Sequence, residues 1–166
     1  MIRHDPPQNK YSPARVADAV FYDVEYLRLL RRRGICELGE ADGTRNWHYS
    51  LADACAIGVA KVLATFGYSN EEAFRMVSGH PGVVEAIRRV VANEDGPDQY
   101  FTHVLGSDVH GSWTGSPVVA DRIDMNIAWA AKSELGTGMV EAVQFINISL
   151  IAKRVALLLA GSDANE

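Results

Sequence analysis

The spacing of helix start and stop signals between Ser12 and Gly34 constrains this chain more than any other feature. Ser12 is a strong N-cap residue, and Pro13 suits the first helical position. Val16, Ala17 and Val20 then mark one buried face. Asp23 is a second N-cap only a few residues on. From it, Val24, Leu27 and Leu30 recur at helical spacing, with Gly34-Ile35 one turn later. Gly34 suits a left-handed helix stop. Arg31, Arg32 and Arg33 fall in the last turn, where they complement the helix dipole. The segment therefore predicts two short helices joined by a tight turn at Val20-Phe21-Tyr22.

The next residues continue the pattern. Residues 37–44 read ELGEADGT, with Asp42-Gly43 as a hairpin turn signal. Asn46-Trp47-His48-Tyr49 is the expected returning strand. Ser50 with Asp53 predicts a capped helix running to about Phe66 and stopping at Gly67. Ser69 with Glu72 is a capping-box pattern for a helix to about Val77. Gly79-His80-Pro81-Gly82 is expected to break it, and residues 83–93 read as another short amphipathic helix.

Residues 94–98 (EDGPD) are the expected domain boundary. Beyond them, residues 100–105 read as a strand and residues 106–115 as a glycine-rich turn. A second strand is expected near residues 116–119, a helix over residues 121–135, and a strand over residues 140–148. Ser149 or Asn147 caps a last helix, residues 150–160. The expected fold class is α+β: an arm over residues 1–10, a helical front domain over 11–93 and a small α/β domain over 98–166.

Charge separates the same two parts. The whole chain carries −5, which supplies no general attraction for nucleic acid. Residues 1–50 hold eight Lys/Arg against seven Asp/Glu, whereas residues 51–166 hold eight against fourteen. A near-neutral part with clustered arginines thus precedes an acidic part. Hydrophobic residues make up 48% of the chain, enough for a sizeable core. Cys36 and Cys55 form no CxxC and read as reduced, partly buried thiols. The polar start of the chain predicts no signal peptide. The longest apolar stretch, residues 142–160, is interrupted by Gln144, Asn147, Lys153 and Arg154 and predicts no membrane span.

In order and spacing, the front half resembles the MerR family of transcriptional regulators over roughly residues 11–77. The resemblance rests on Val16-Ala17, Leu27-Arg28, Arg32-x-Gly34-Ile35, Tyr49-Ser50-x-x-Asp53 and Phe66-Gly67-Tyr68-Ser69-x-Glu71-Glu72. It implies a winged helix-turn-helix and a dimer that binds double-stranded DNA. The chain departs from the family pattern at Phe21, where the turn normally has glycine, and at Trp47-His48, where paired arginines are usual. The family's long dimerisation coiled coil is absent from the pattern.

The physics of groove reading assigns the roles. Helix 23–33 would enter the major groove, with Val24, Glu25 and Arg28 opposite the buried Leu27 and Leu30. Arg28 suits guanine, and Glu25 suits the cytosine amino group or a salt bridge to a neighbouring arginine. Arg15, Arg31, Arg32 and Arg45, with His48 or Tyr49 in the wing 42–49, are the expected phosphate contacts. The expectation is a cytoplasmic, nucleoid-associated homodimeric regulator, not an enzyme, with no cofactor and no metal. Its C-terminal domain would dimerise or sense a protein partner or small-molecule effector. The alternatives are a protein-interaction adaptor with a degenerate helix-turn-helix and a phage or excisionase-like DNA binder. A third reading places metal or acid–base chemistry at His103, Asp108 and His110, flanking one expected turn. Trp113 and Trp129 are read as core, or as the lining of a ligand pocket.

Overall fold

The computed structural model describes residues 10–43, 46–108, 111–114, 118–121 and 139–162. The expected arm up to residue 9, Arg45, His110, Trp129 and nearly all of the helix expected over residues 121–135 lie outside these. By contacts, the chain divides into two compact units. One comprises the residues up to Ser78 with those from Ile151 onward, and the other is Gly79–Leu150. Among the described residues, the architecture is mixed α+β, with six helices and two small antiparallel sheets.

The first unit begins with α1 (Pro13–Ala19) and α2 (Val24–Arg32). Both start where the caps predict. Ser12 Oγ accepts from the Arg15 amide at 3.3 Å, and Asp23 Oδ1 accepts from the Tyr26 amide at 2.9 Å. The turn between them places Phe21 at φ +56°. A bulky side chain rarely adopts this left-handed conformation. Gly34 ends the second helix region at φ +69°, where nothing crowds its missing side chain.

A two-stranded antiparallel hairpin follows, β1 (Glu40–Ala41) paired with β2 (Trp47–His48), with Ala41 opposite Trp47. Tyr11 extends this hairpin: its amide donates to the Tyr49 carbonyl at 2.8 Å and its carbonyl accepts from the Tyr49 amide at 2.9 Å. α3 (Leu51–Thr65) opens with the full Ser50–Asp53 capping box, and α4 (Asn70–Gly79) with the matching Ser69–Glu72 exchange. α3 is the central helix of the unit, and Cys55, Ile57, Val59, Ala60 and Leu63 along it are fully buried.

The last helix, α6 (Ile148–Ser162), contributes Ala152, Val155 and Leu159 to this same core. Gly58 permits the close approach. A Cβ there would fall 2.8 Å from Val155 Cγ2, and Cys55 Sγ donates to the Ala152 carbonyl at 3.4 Å. From Ile151 onward the last helix therefore joins the front unit, although its sequence lies beyond the expected break at 94–98.

The second unit contains α5 (Pro81–Val91) and a four-stranded sheet. β3 (Tyr100–Asp108) is its central strand. It pairs antiparallel with β6 (Met139–Asn147) on one edge, and with β4 (Gly111–Thr114) and β5 (Val118–Ala120) on the other. Among the described residues every pairing is antiparallel, so this unit is α+β rather than the expected α/β. The glycine-rich turn expected over residues 106–115 is mostly strand. β6 supplies Val140 and Met139 as partners for Gly106 and Ser107, with a register irregularity between Leu105 and Gly106.

α5 packs on β5, where a Cβ on Gly82 would lie 2.7 Å from Val119 Cβ. The segment at 98–99 is bonded into this unit. Asn147 Nδ2 donates to Asp98 Oδ2 at 3.0 Å, and Ser149 Oγ accepts from the Gln99 amide at 2.9 Å. Of the two expected caps, Asn147 fills the role, accepting from the Leu150 amide at 2.8 Å. Ser149 is used by Gln99 instead. No described helix is long and apolar enough to cross a membrane.

Candidate nucleic-acid interface

The exposed side of α2 is set by its buried side. Leu27 and Leu30 are buried, so Glu25, Arg28 and Arg32, at helical spacing, share the opposite stripe and are exposed. Val24 is half-buried in the first turn. Glu25 and Arg28 form an ion pair one turn apart on this surface. The N-terminal end of α2 thus carries the carboxylates of Asp23 and Glu25, which complement its dipole. The cations gather at the other end. Arg32 is exposed there without a partner among the described residues, and Arg33, outside the expected site set, is exposed beside it at the C-cap. The RRR run is the sequence signal for Arg33, whereas helical spacing from Glu25 favours Arg32.

Arg31 faces the hairpin instead of solvent. Its guanidinium lies over the Trp47 ring at 4.4 Å from the centroid. Trp47 Nε1 donates to the Leu38 carbonyl at 3.2 Å. The hairpin is held close here by Gly39, at φ +84°. A Cβ on Gly39 would meet the Trp47 ring nitrogen, lie 2.6 Å from the His48 carbonyl and 2.8 Å from Tyr49 Cδ1. His48 Nε2 lies 3.1 Å from Asp42 Oδ2 across the hairpin.

Two expected phosphate contacts are turned inward. Arg15 donates from its guanidinium to the Leu159 carbonyl at 2.6 Å and lies over the Tyr11 ring. The last carbonyls of a helix lack intrahelical partners and attract a cation, so the end of α6 captures this arginine. Tyr49 is 1% exposed, and burial pushes its hydroxyl up to about 12. Its ring is part of the core of the unit. Of the wing pair, only His48 keeps a partly exposed side chain. Arg45 lies outside the described residues.

Electrostatics divides with the units. The first holds twelve Lys/Arg and twelve Asp/Glu, and the second four and nine. The whole excess of negative charge belongs to Gly79–Leu150. Its adjacent arginines, Arg88 and Arg89, are engaged by Glu85, and Arg88 also by Glu94. The described surface cations that are left unpaired thus belong to the unit with α2.

Of the expected cluster at His103, Asp108 and His110, the two described members, His103 and Asp108, are not brought together at one turn. β3 runs through both His103 and Asp108, which an extended strand spaces about 16 Å apart. His103 stands opposite Gln144, and burial lowers its pKa. His110 and the side chains of Asp108 and Trp113 lie outside the described residues. Among the described residues, no group of three His, Cys, Asp or Glu could hold a metal ion. Cys36 and Cys55 are free and buried. Compared with known proteins, the chain matches no family model, and no curated protein matches it.

Proposed function

We propose that the protein is a sequence-specific DNA-binding regulator that inserts α2 in the major groove and rests the hairpin on the flanking backbone. The observation that carries this reading is the coupling of Arg31 to Trp47. It holds a short helix, preceded by a tight helix–helix turn, in a set position beside a hairpin. That arrangement suits a winged helix-turn-helix, as the resemblance to the MerR family implies. Arg28 and Arg32 on the exposed stripe, with Arg33, supply the cations that phosphates and guanine attract. The reading includes a homodimer on a two-fold DNA site. Leu150, Leu157 and Leu158, exposed along α6, suit contact between copies. A cytoplasmic, nucleoid-associated location follows from the same reading, as does a role for the acidic second unit in sensing a partner.

One observation favours a second reading. Glu25 neutralises Arg28 where a groove helix presents its base-reading residues, and such a face also suits a protein partner. The experiment that separates the two is selection from a random duplex pool with a salt titration. Enrichment of a pseudo-palindrome, with affinity falling steeply as salt rises and lost in Arg28→Ala, supports the regulator. Failure to retain duplex even at low salt sinks it and leaves the adaptor reading.

A further inference from the structure

The described residues line an open, apolar cleft of about 230 Å³ between the α1–α2 turn, α3 and α6. Its walls are Val20, Val62, Ile151 and Val155, with Phe21 and Gly58 completing them. Lys61 and Arg154 stand on its rim, and its lining includes no Asp or Glu among the described residues. Neither cation has a carboxylate partner among the described residues.

Both cations are drawn to one aromatic ring. Lys61 Nζ lies 5.7 Å and the Arg154 guanidinium 5.3 Å from the Phe21 ring centroid. Lys61 Nζ also donates to the Phe21 carbonyl. Phe21 itself is 63% exposed and held at φ +56°. Exposing a large ring in a disfavoured backbone conformation gains the fold nothing by burial. The ring does form one wall of the cleft.

We propose that this cleft binds a small aromatic monocarboxylate, its ring against Val20, Val62, Ile151 and Val155 and its carboxylate between Lys61 and Arg154. The walls suit an apolar body, and two cations with no carboxylate partner among the described residues suit one anionic head. The cleft is smaller than the ~300–1,000 Å³ of sites for drug-sized ligands, so what it can cover is a body of about one ring. Burial lowers the Lys61 pKa, consistent with an ammonium that lacks a counter-charge. A phosphate monoester fits less well, because its strongly hydrated dianion gains nothing from these walls.

The test uses phenylacetate as probe, titrated into the full chain and followed by methyl NMR and by thermal denaturation. The expected result is that the methyl signals of Val20, Val62, Ile151 and Val155 shift together on one isotherm. The melting temperature should rise with probe concentration. Benzyl alcohol, which lacks the charge, and acetate, which lacks the ring, should each bind at least about tenfold more weakly. Arg154→Met and Lys61→Met should each weaken phenylacetate about tenfold. Arg154 is exposed on α6, so its variant keeps the test sound if Lys61→Met disturbs the turn. Equal binding of benzyl alcohol, unchanged binding in Arg154→Met, or shifts scattered away from these methyls would overturn the proposal. Binding to the protein alone is measured, so the outcome is independent of whether the chain binds DNA.

Discussion

The Arg31 guanidinium lies 4.4 Å from the centroid of the Trp47 ring, and so ties α2 to the hairpin that follows it. Both side chains are half-buried. A cation over an indole contributes about 0.5–1 kcal/mol when exposed and about 2 when desolvated. A double-mutant cycle of Arg31→Met with Trp47→Leu, read by urea denaturation, should therefore give a coupling of about 1 kcal/mol. A coupling near zero would mean that the two pack independently.

Two glycines with left-handed φ should respond differently to the same substitution. At Gly34 nothing lies within 4 Å of where a methyl group would stand, so Gly34→Ala meets only the backbone penalty of about 1 kcal/mol. Gly39→Ala adds steric conflict with Trp47, His48 and Tyr49 to that penalty. Its urea midpoint should fall well below that of Gly34→Ala. Equal midpoints would show that the hairpin yields without loss.

Arg15→Met should destabilise the protein without weakening DNA binding. The variant loses the bond to the Leu159 carbonyl, and a hydrogen bond to a charged group contributes about 1.5–3 kcal/mol. Thermal denaturation measures the first effect, and duplex affinity well below the melting point measures the second. A loss of affinity in the folded variant would return Arg15 to the interface.

Glu25→Gln should raise duplex affinity and make the salt dependence steeper. The substitution releases Arg28 from its ion pair and removes a negative charge from the exposed stripe. Each added phosphate contact increases the slope of log affinity against log salt by about 0.9. Unchanged affinity and slope would place this stripe away from DNA.

The buried thiols predict an alkaline limit to stability. Burial pushes Cys36 up to about 11 and Cys55 to about 12, from an ordinary 9.0. The folded state therefore keeps protons that the unfolded chain releases. Their contribution is complete below about pH 9 and is lost as pH rises toward 11 and 12. Tyr22, Tyr49 and Tyr68, each raised to about 12 from 10.0, add to the decline above pH 10. The melting temperature should fall across this window, and less so in a Cys36→Ala, Cys55→Ala variant. Iodoacetamide at pH 8 should label neither thiol until the protein is unfolded.

The helix starts were legible because caps act over three or four residues. Ser12, Asp23, Ser50 with Asp53, and Ser69 with Glu72 each bond to an amide within one turn, so their meaning is contained in the local sequence. The hairpin turn and the Gly34 stop were readable for the same reason. Gly106 misled because its turn signal is also local. The ladder with β6 that keeps it in a strand comes from residues more than thirty positions later.

The amino-acid sequence alone thus determined where α1 to α4 begin, which face of α2 is buried and where the hairpin turns, whereas α5 starts at Pro81, inside the segment expected to be a break. Only the tertiary structure decided what those elements meet. It turned Arg15 toward a carbonyl 144 residues away, drew α6 from Ile151 onward onto α3 through Gly58, and buried Tyr49 against the strand-like Tyr11. These depend on complementary shape and unsatisfied backbone groups supplied by distant segments. No spacing rule within one helix or one turn contains that information.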